Sequence, residues 1–114
     1  MKSNNPGKDC SESQERRIAK LLGGKTQANS GGTRFGGGDV HTSKFLIEAK
    51  TPVSEKSSFS IKKEWLDKAK EQAYEQHKQY SALAFCFDPE GPDYFVIDKK
   101  LFQELLEYLD KEGN

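Results

Sequence analysis

Asp39, Glu48 and Lys50 are the residues whose types and spacing could do chemistry. In an extended strand, side chains at i and i+2 share a face. Within Phe45-Leu46-Ile47-Glu48-Ala49-Lys50, the Glu48 carboxylate and the Lys50 ammonium therefore point one way, while Phe45, Ile47 and Ala49 point the other. If Asp39 leads a strand that pairs with 44–50 as a hairpin, its carboxylate reaches Glu48. Two hard oxygen donors of that kind suit Mg2+ or Mn2+. The plain alternative is a same-face ion pair of Glu48 and Lys50 on a half-exposed strand. Against it, Phe45-Leu46-Ile47 implies burial on both faces at the strand's start, where polar residues need a specific reason.

The elements that must hold these residues read outward from them. Residues 1–11 are polar, carry Pro6-Gly7 and lack periodicity, so they read as a flexible tail before one domain over 12–114. Ser11 or Ser13 can cap a helix with Ile18, Ala19, Leu21 and Leu22 on its apolar side, ended by Gly23-Gly24. Glu15 lies near the buried edge of that helix, where it can face a cleft. It is either an outer metal ligand or water-positioning group, or an ordinary first-turn glutamate favoured by the helix dipole. Arg16 and Arg17 flank it as phosphate contacts. Gly24-Lys25-Thr26 is not a phosphate loop, because Ala19 stands where that pattern needs glycine and the run follows a helix rather than a strand.

Lys25 to Ser30 reads as a short strand or its approach. Five glycines in residues 31–38 then make a mobile loop able to approach a ligand closely. There Ser30 and Arg34 could meet phosphate and Phe35 a base or sugar, although a plain linker would look much the same. Thr51-Pro52 ends the strand, and a Ser/Lys-rich loop over 52–60 can carry Lys56 towards a nucleic-acid backbone. Ser60 is a usable cap for a helix of about 17 residues with Ile61, Trp65, Leu66, Ala69, Ala73 and Tyr74 or His77 inward. The apolar run Ser81 to Phe87 predicts a central strand covered on both faces. After a turn over Asp88 to Pro92 come a strand over Tyr94 to Ile97 and a helix capped by Asp98. That helix carries Leu101, Leu105, Leu106 and Leu109 as its apolar stripe, broadened by Phe102 and Tyr108. The order α-β-β-β-α-β-β-α predicts an α/β fold with a mixed central sheet of about five strands flanked by helices.

Glu15 on a first helix, a Ser/Gly-rich loop, Asp39, Glu48-Ala49-Lys50 and Gln72 on the next helix form an ordered set. The set resembles the PD-(D/E)XK nuclease superfamily, and its order is similar to archaeal-type and phage Holliday junction resolvases over residues 12–88. Gly38 stands where that pattern often has proline. The resemblance implies a restriction-endonuclease-like domain that hydrolyses DNA phosphodiesters. Mg2+ or Mn2+ would be held by Asp39, Glu48 and the Ala49 carbonyl, with Glu15 completing a second site. Lys50 would orient or help deprotonate water and stabilise charge on the phosphate, and Gln72, or Lys68 one turn earlier, would brace the site. A resolvase acts on branched DNA, and symmetric cleavage of a four-way junction needs two active sites, so the partners implied are DNA and a second copy of the chain. A restriction-like or repair nuclease on duplex or flap DNA, a catalytically silent DNA-binding module of the same fold, and a small structural interaction domain are the alternatives.

Composition limits these readings. At 114 residues and 33% apolar content the chain makes one domain with a modest core, to which a partner subunit could add burial. No apolar run approaches the roughly 20 residues needed to span a bilayer, and the polar N-terminus has no signal-like core. A soluble, cytoplasmic protein is expected, in the host cell's cytoplasm if phage-encoded. Cys10 in a polar tail and Cys86 in an apolar strand predict no disulfide. His41 and His77 lack partners at zinc spacing. The formal net charge is zero, yet residues 1–70 hold 14 Lys/Arg against 8 Asp/Glu, and 71–114 hold 4 against 10. That asymmetry suggests one basic face.

Overall fold

The apolar run at Phe45 becomes strand β3, Phe45–Lys50, buried from Leu46 to Ala49. The structure, a computed structural model, describes residues 6–26 and 39–112. Ser30, Arg34 and Phe35 lie outside the described residues. β3 is the middle of a five-stranded sheet in which the strands stand in sequence order. On one side are β2 (Asp39–His41) and β1 (Lys25–Thr26), and on the other β4 (Tyr80–Cys86) and β5 (Asp93–Val96). All neighbours are antiparallel except β3 and β4. The expected mixed α/β sheet and its order of elements are thus present. A parallel pair cannot be closed by a tight turn, and the crossover between β3 and β4 is a helix, α2 (Lys63–Glu75).

The two sheet faces are covered by different helices. Val40, Ile47, Ala49, Ala82 and Ala84 pack with Ile18 and Ala19 of α1 (Pro6–Leu22). Leu46, on the opposite face by strand alternation, packs against Ala69 and Ala73 of α2. Lys56 N donates to Phe87 O at 2.8 Å, tying the loop after β3 to the end of β4. Phe59 stacks on Phe85 at 5.4 Å and lies 6.2 Å from Trp65.

Several element boundaries differ from expectation. α1 starts at Pro6, inside the stretch read as a tail, and neither Ser11 nor Ser13 is its cap. Proline suits a first helical position because its missing N–H has no partner there anyway, and Asp9 complements the helix dipole in the first turn. Gly23, at φ 68°, ends α1 as expected, and a Cβ on Gly24 would lie 2.6 Å from the His41 carbonyl oxygen. α2 starts three residues after Ser60, with Lys62 at its cap position and no side-chain capping bond. Tyr74 is exposed and His77 lies beyond the helix with φ 59°, so neither joins the inward stripe. Asp98 caps the last helix, α3 (Lys99–Glu112), as expected: its Oδ1 accepts from Leu101 N at 2.9 Å. This bond, with Lys70 nearby, holds the Asp98 carboxyl below its usual range. The stripe of α3 is the largest departure, since Leu101 is buried while Phe102, Leu105, Leu106, Tyr108 and Leu109 are exposed.

Candidate active site

Hairpin pairing of β2 and β3 places Asp39 directly opposite Glu48. Thr42 N donates to Phe45 O at 3.0 Å. Counting in twos from that pair, Val40 and Ile47 form the next hydrogen-bonded pair, and Asp39 and Glu48 fall at the position where side chains approach most closely. The same alternation directs the backbone groups of Phe45, Ile47 and Ala49 to the β2 side. The Ala49 carbonyl therefore lies on the edge where the two carboxylates meet.

Glu48 and Lys50 share the face covered by α2. Lys50 Nζ lies 3.3 Å from Glu48 Oε2, with the two side chains only 16% and 3% exposed. The other oxygen, Glu48 Oε1, is buried and makes no hydrogen bond among the described residues. Trp65 of α2 lies under the ammonium, 4.9 Å from ring centroid to Lys50 Nζ. A mostly buried lysine held between a carboxylate and an indole face has few rotamers left, which fixes the ammonium relative to the carboxylate.

The Asp39 carboxyl is pushed up to about 8, first by burial and then by a hydrogen bond and charge repulsion from Glu48. Lys68 of α2 pulls in the other direction, and the Glu15 carboxylate adds to the rise. The fold thus brings Asp39, Glu48, Glu15 and Lys68 within electrostatic reach of one another, from α1, β2, β3 and α2. At neutral pH the Asp39–Glu48 pair keeps a proton when no cation is present, because two carboxylates this close cannot both ionise cheaply. Gln72, one turn after Lys68, buries its Oε1 without a hydrogen bond among the described residues.

A divalent cation fits this donor set on two counts: a protonated carboxyl pair and an orphaned buried carboxylate oxygen are both relieved by positive charge. Among the described residues no cluster of three or more His, Cys, Asp or Glu side chains is arranged to hold a metal ion. The protein's own donors would therefore be two carboxylates and a backbone carbonyl.

Not every expected contact is available. The Arg17 fork is spent inside the protein: Nε and Nη2 each donate to Asp93 at 2.7 Å, and Nη1 donates to Pro89 O at 3.2 Å. Burial of Asp93 and this bidentate geometry make Arg17 a clasp between α1 and β5, which corrects its reading as a phosphate contact. Arg16 and Lys56 are exposed. Lys56 is held near the end of β4, the same end of the sheet as Lys50, which pairs in register with Phe85. A cleft of about 380 Å3 lies between α2, the start of β4 and α3, and contains none of these residues.

Gln14 is a residue that pattern reasoning missed. It is fully buried on α1 and its Nε2 donates to the Lys50 carbonyl at 2.9 Å and to Asp93 Oδ1 at 3.3 Å. The signal was its place one turn before Ile18, on the helix's apolar face. Trp65, which helical periodicity places on the inward stripe, is also the face on which the Lys50 ammonium rests. No family model, no curated protein and no solved structure matches the chain.

Proposed function

We propose that this chain is a metal-dependent DNA endonuclease of the PD-(D/E)XK kind, most similar to Holliday junction resolvases. It would act on branched DNA as a homodimer in the cytoplasm, that of the host cell if the protein is phage-encoded. The observation that carries the reading is the pairing of Asp39 with Glu48, with the Lys50 ammonium 3.3 Å from the latter. Asp39, Glu48 and the Ala49 carbonyl would hold Mg2+ or Mn2+, and Glu15 stands close enough in charge to Asp39 to assist a second ion. Bound there, the cation would acidify a water and offset charge on the scissile phosphate.

The chain's own groups do the rest. With a cation bound, Asp39 would give up its proton, and both carboxylates would serve as anionic ligands. Lys50, fixed by Glu48 and Trp65, presents its ammonium to the attacking water and to the oxygens on which charge grows. Lys68 of α2 offsets charge at Asp39, Gln72 one turn on would brace the site, and Gln14 holds the end of β3 through the Lys50 carbonyl.

The test is incubation with four-way junction, flap, duplex and single-stranded DNA, each with magnesium and with a chelator. Paired symmetric nicks on the junction, lost with chelator, are expected. Cutting confined to flap or duplex would move the reading to a repair or restriction-like nuclease. Binding without cutting on any substrate would leave a silent DNA-binding module.

A further inference from the structure

Helix α3 is amphipathic, yet the other described residues cover little of it. Leu101 is buried, and every residue from Phe102 to Lys111 is exposed. Phe102, Leu105, Leu106 and Leu109 are 58, 43, 46 and 62% exposed and recur at the i, i+3, i+4, i+7 spacing of one helix face. Leu101 N donates to Asp98 at the start of α3, and Glu104 accepts from Tyr80 Oη at 3.1 Å. A helix of this length is marginal in water from propensity alone, roughly 12 to 15 residues being the threshold. Its stripe, with Tyr108, leaves on the order of 500 Å2 of apolar surface in water, in the upper part of the roughly 300–600 Å2 of a monomer's largest patch, which is often functional. The residues outside the described set, 1–5, 27–38 and 113–114, offer only Met1, Ala28 and Phe35 as apolar side chains, too few to cover it.

We propose that α3 is the surface through which two copies of this chain associate, packed antiparallel about a two-fold axis. The inference rests on the two-subunit part of the reading above and gives that dimer its interface. The stripe is self-complementary in this direction. Leu105 and Leu106 stand at its middle, so a two-fold axis there sets them against their own copies and brings Phe102 of each copy to Leu109 of the other. The charges agree. Lys99, Phe102, Leu106 and Asp110 follow one flank at three- and four-residue steps. Antiparallel pairing puts Lys99 of each copy beside Asp110 of the other, twice, whereas parallel two-fold pairing sets this flank against the opposite flank of the partner and forms neither contact. Opposed helix dipoles favour the same direction. The stripe falls short of the roughly 800 Å2 per partner of a standard interface, and the exposed rim of α3, which carries Lys99, Gln103 and Asp110, supplies further contact.

Sedimentation equilibrium of the full chain, without DNA or metal, tests this over concentrations from about 1 to 100 μM, the range in which a modest interface would show. A dimer is expected, and Leu105→Asp should weaken it at least about a hundredfold by placing two carboxylates at the axis. Lys99→Glu and Asp110→Lys should each weaken it several-fold, and the double variant should restore it. Far-ultraviolet circular dichroism of each variant reports that the domain is folded, and the surface charge variants decide the matter if Leu105→Asp is not. A wild-type chain that stays monomeric, a dimer indifferent to Leu105→Asp, or a double variant no tighter than the single ones would overturn the proposal. Because no DNA or metal is present, failure of the nuclease reading leaves this result standing, and the reverse holds too.

Discussion

Asp39 is the residue at which stability and activity pull apart most plainly. Its carboxyl, near 3.8 in an unfolded chain and pushed up to about 8 in the fold, binds its proton more tightly in the native state. An acid shifted in this direction contributes nothing unfavourable below about pH 4, where both states are protonated. It costs stability progressively as pH rises towards 8, because the unfolded state ionises first. The metal-free Asp39→Asn variant is therefore expected to gain stability over wild type from pH 4 to 8, read as a growing difference in denaturant midpoint. Saturating Mg2+ should shrink that gain by stabilising wild type alone. A midpoint difference flat with pH would remove the buried shared proton from the account.

Lys50 divides the catalytic from the structural reading at the same scale. Lys50→Met keeps the stem over Trp65, and a bound cation can still neutralise Glu48. A lysine that serves only as a counter-ion should then be dispensable for rate. A positioned donor should not be, and a loss of about a hundredfold or more in single-turnover cleavage is expected with magnesium affinity by calorimetry nearly unchanged. A near-normal rate would return Lys50 to the ion-pair role. These residues were legible because the two-residue period of a strand is nearly free of context, and one hairpin sufficed to add Asp39. Arg17 was not legible: nothing local indicates that its partner is Asp93, far along the chain.

At the scale of elements, the Arg17–Asp93 clasp makes a prediction opposite to that of a DNA contact. The Asp93 side chain is 6% exposed, so Arg17→Ala leaves a buried carboxylate without its cation and should cost about 3 kcal/mol of stability, the usual result of breaking a buried pair. A chain melting like wild type but binding DNA more weakly would reinstate the phosphate role. At α3, Asp98→Ala removes the one capping bond and should cost about 1 kcal/mol, measured by chemical denaturation. That cap was readable from sequence because it is local. The starts of α1 and α2 were not, since Ser11, Ser13 and Ser60 all look like caps, whereas α1 begins at Pro6 and α2 begins at Lys63 without a side-chain capping bond. Gln14 went unseen for a related reason: a glutamine on an apolar face is read as an exception until its acceptor, the Lys50 carbonyl, is known.

At the scale of the whole molecule, sequence periodicity predicted a mixed sheet of about five strands flanked by helices and the order of elements along the chain, because continuous apolar runs such as those of β3 and β4 admit few other arrangements. The order of strands across the sheet and which helix covers each face were not legible. The helical period also predicted an apolar stripe on α3. Periodicity cannot say whether such a stripe finds its cover within the chain, and here the described residues leave it open. No helix among the described residues is long and apolar enough to cross a membrane. The basic first half of the sequence carries the candidate site, and α3 ends the acidic second half. DNA affinity at the site should accordingly fall with salt, while association through the α3 stripe should depend on it only through the Lys99–Asp110 flank.

The proposed nuclease activity requires that Asp39 and Glu48 hold a divalent cation. Single-turnover cleavage of a four-way junction, followed against magnesium concentration for wild type and Glu48→Gln at equal DNA occupancy, tests it most directly. The account predicts a saturable magnesium requirement in wild type, abolished by chelator, and no measurable cutting by a Glu48→Gln chain that still binds the junction. Cleavage by Glu48→Gln at the wild-type rate, or cleavage by wild type that persists in chelator, would contradict it.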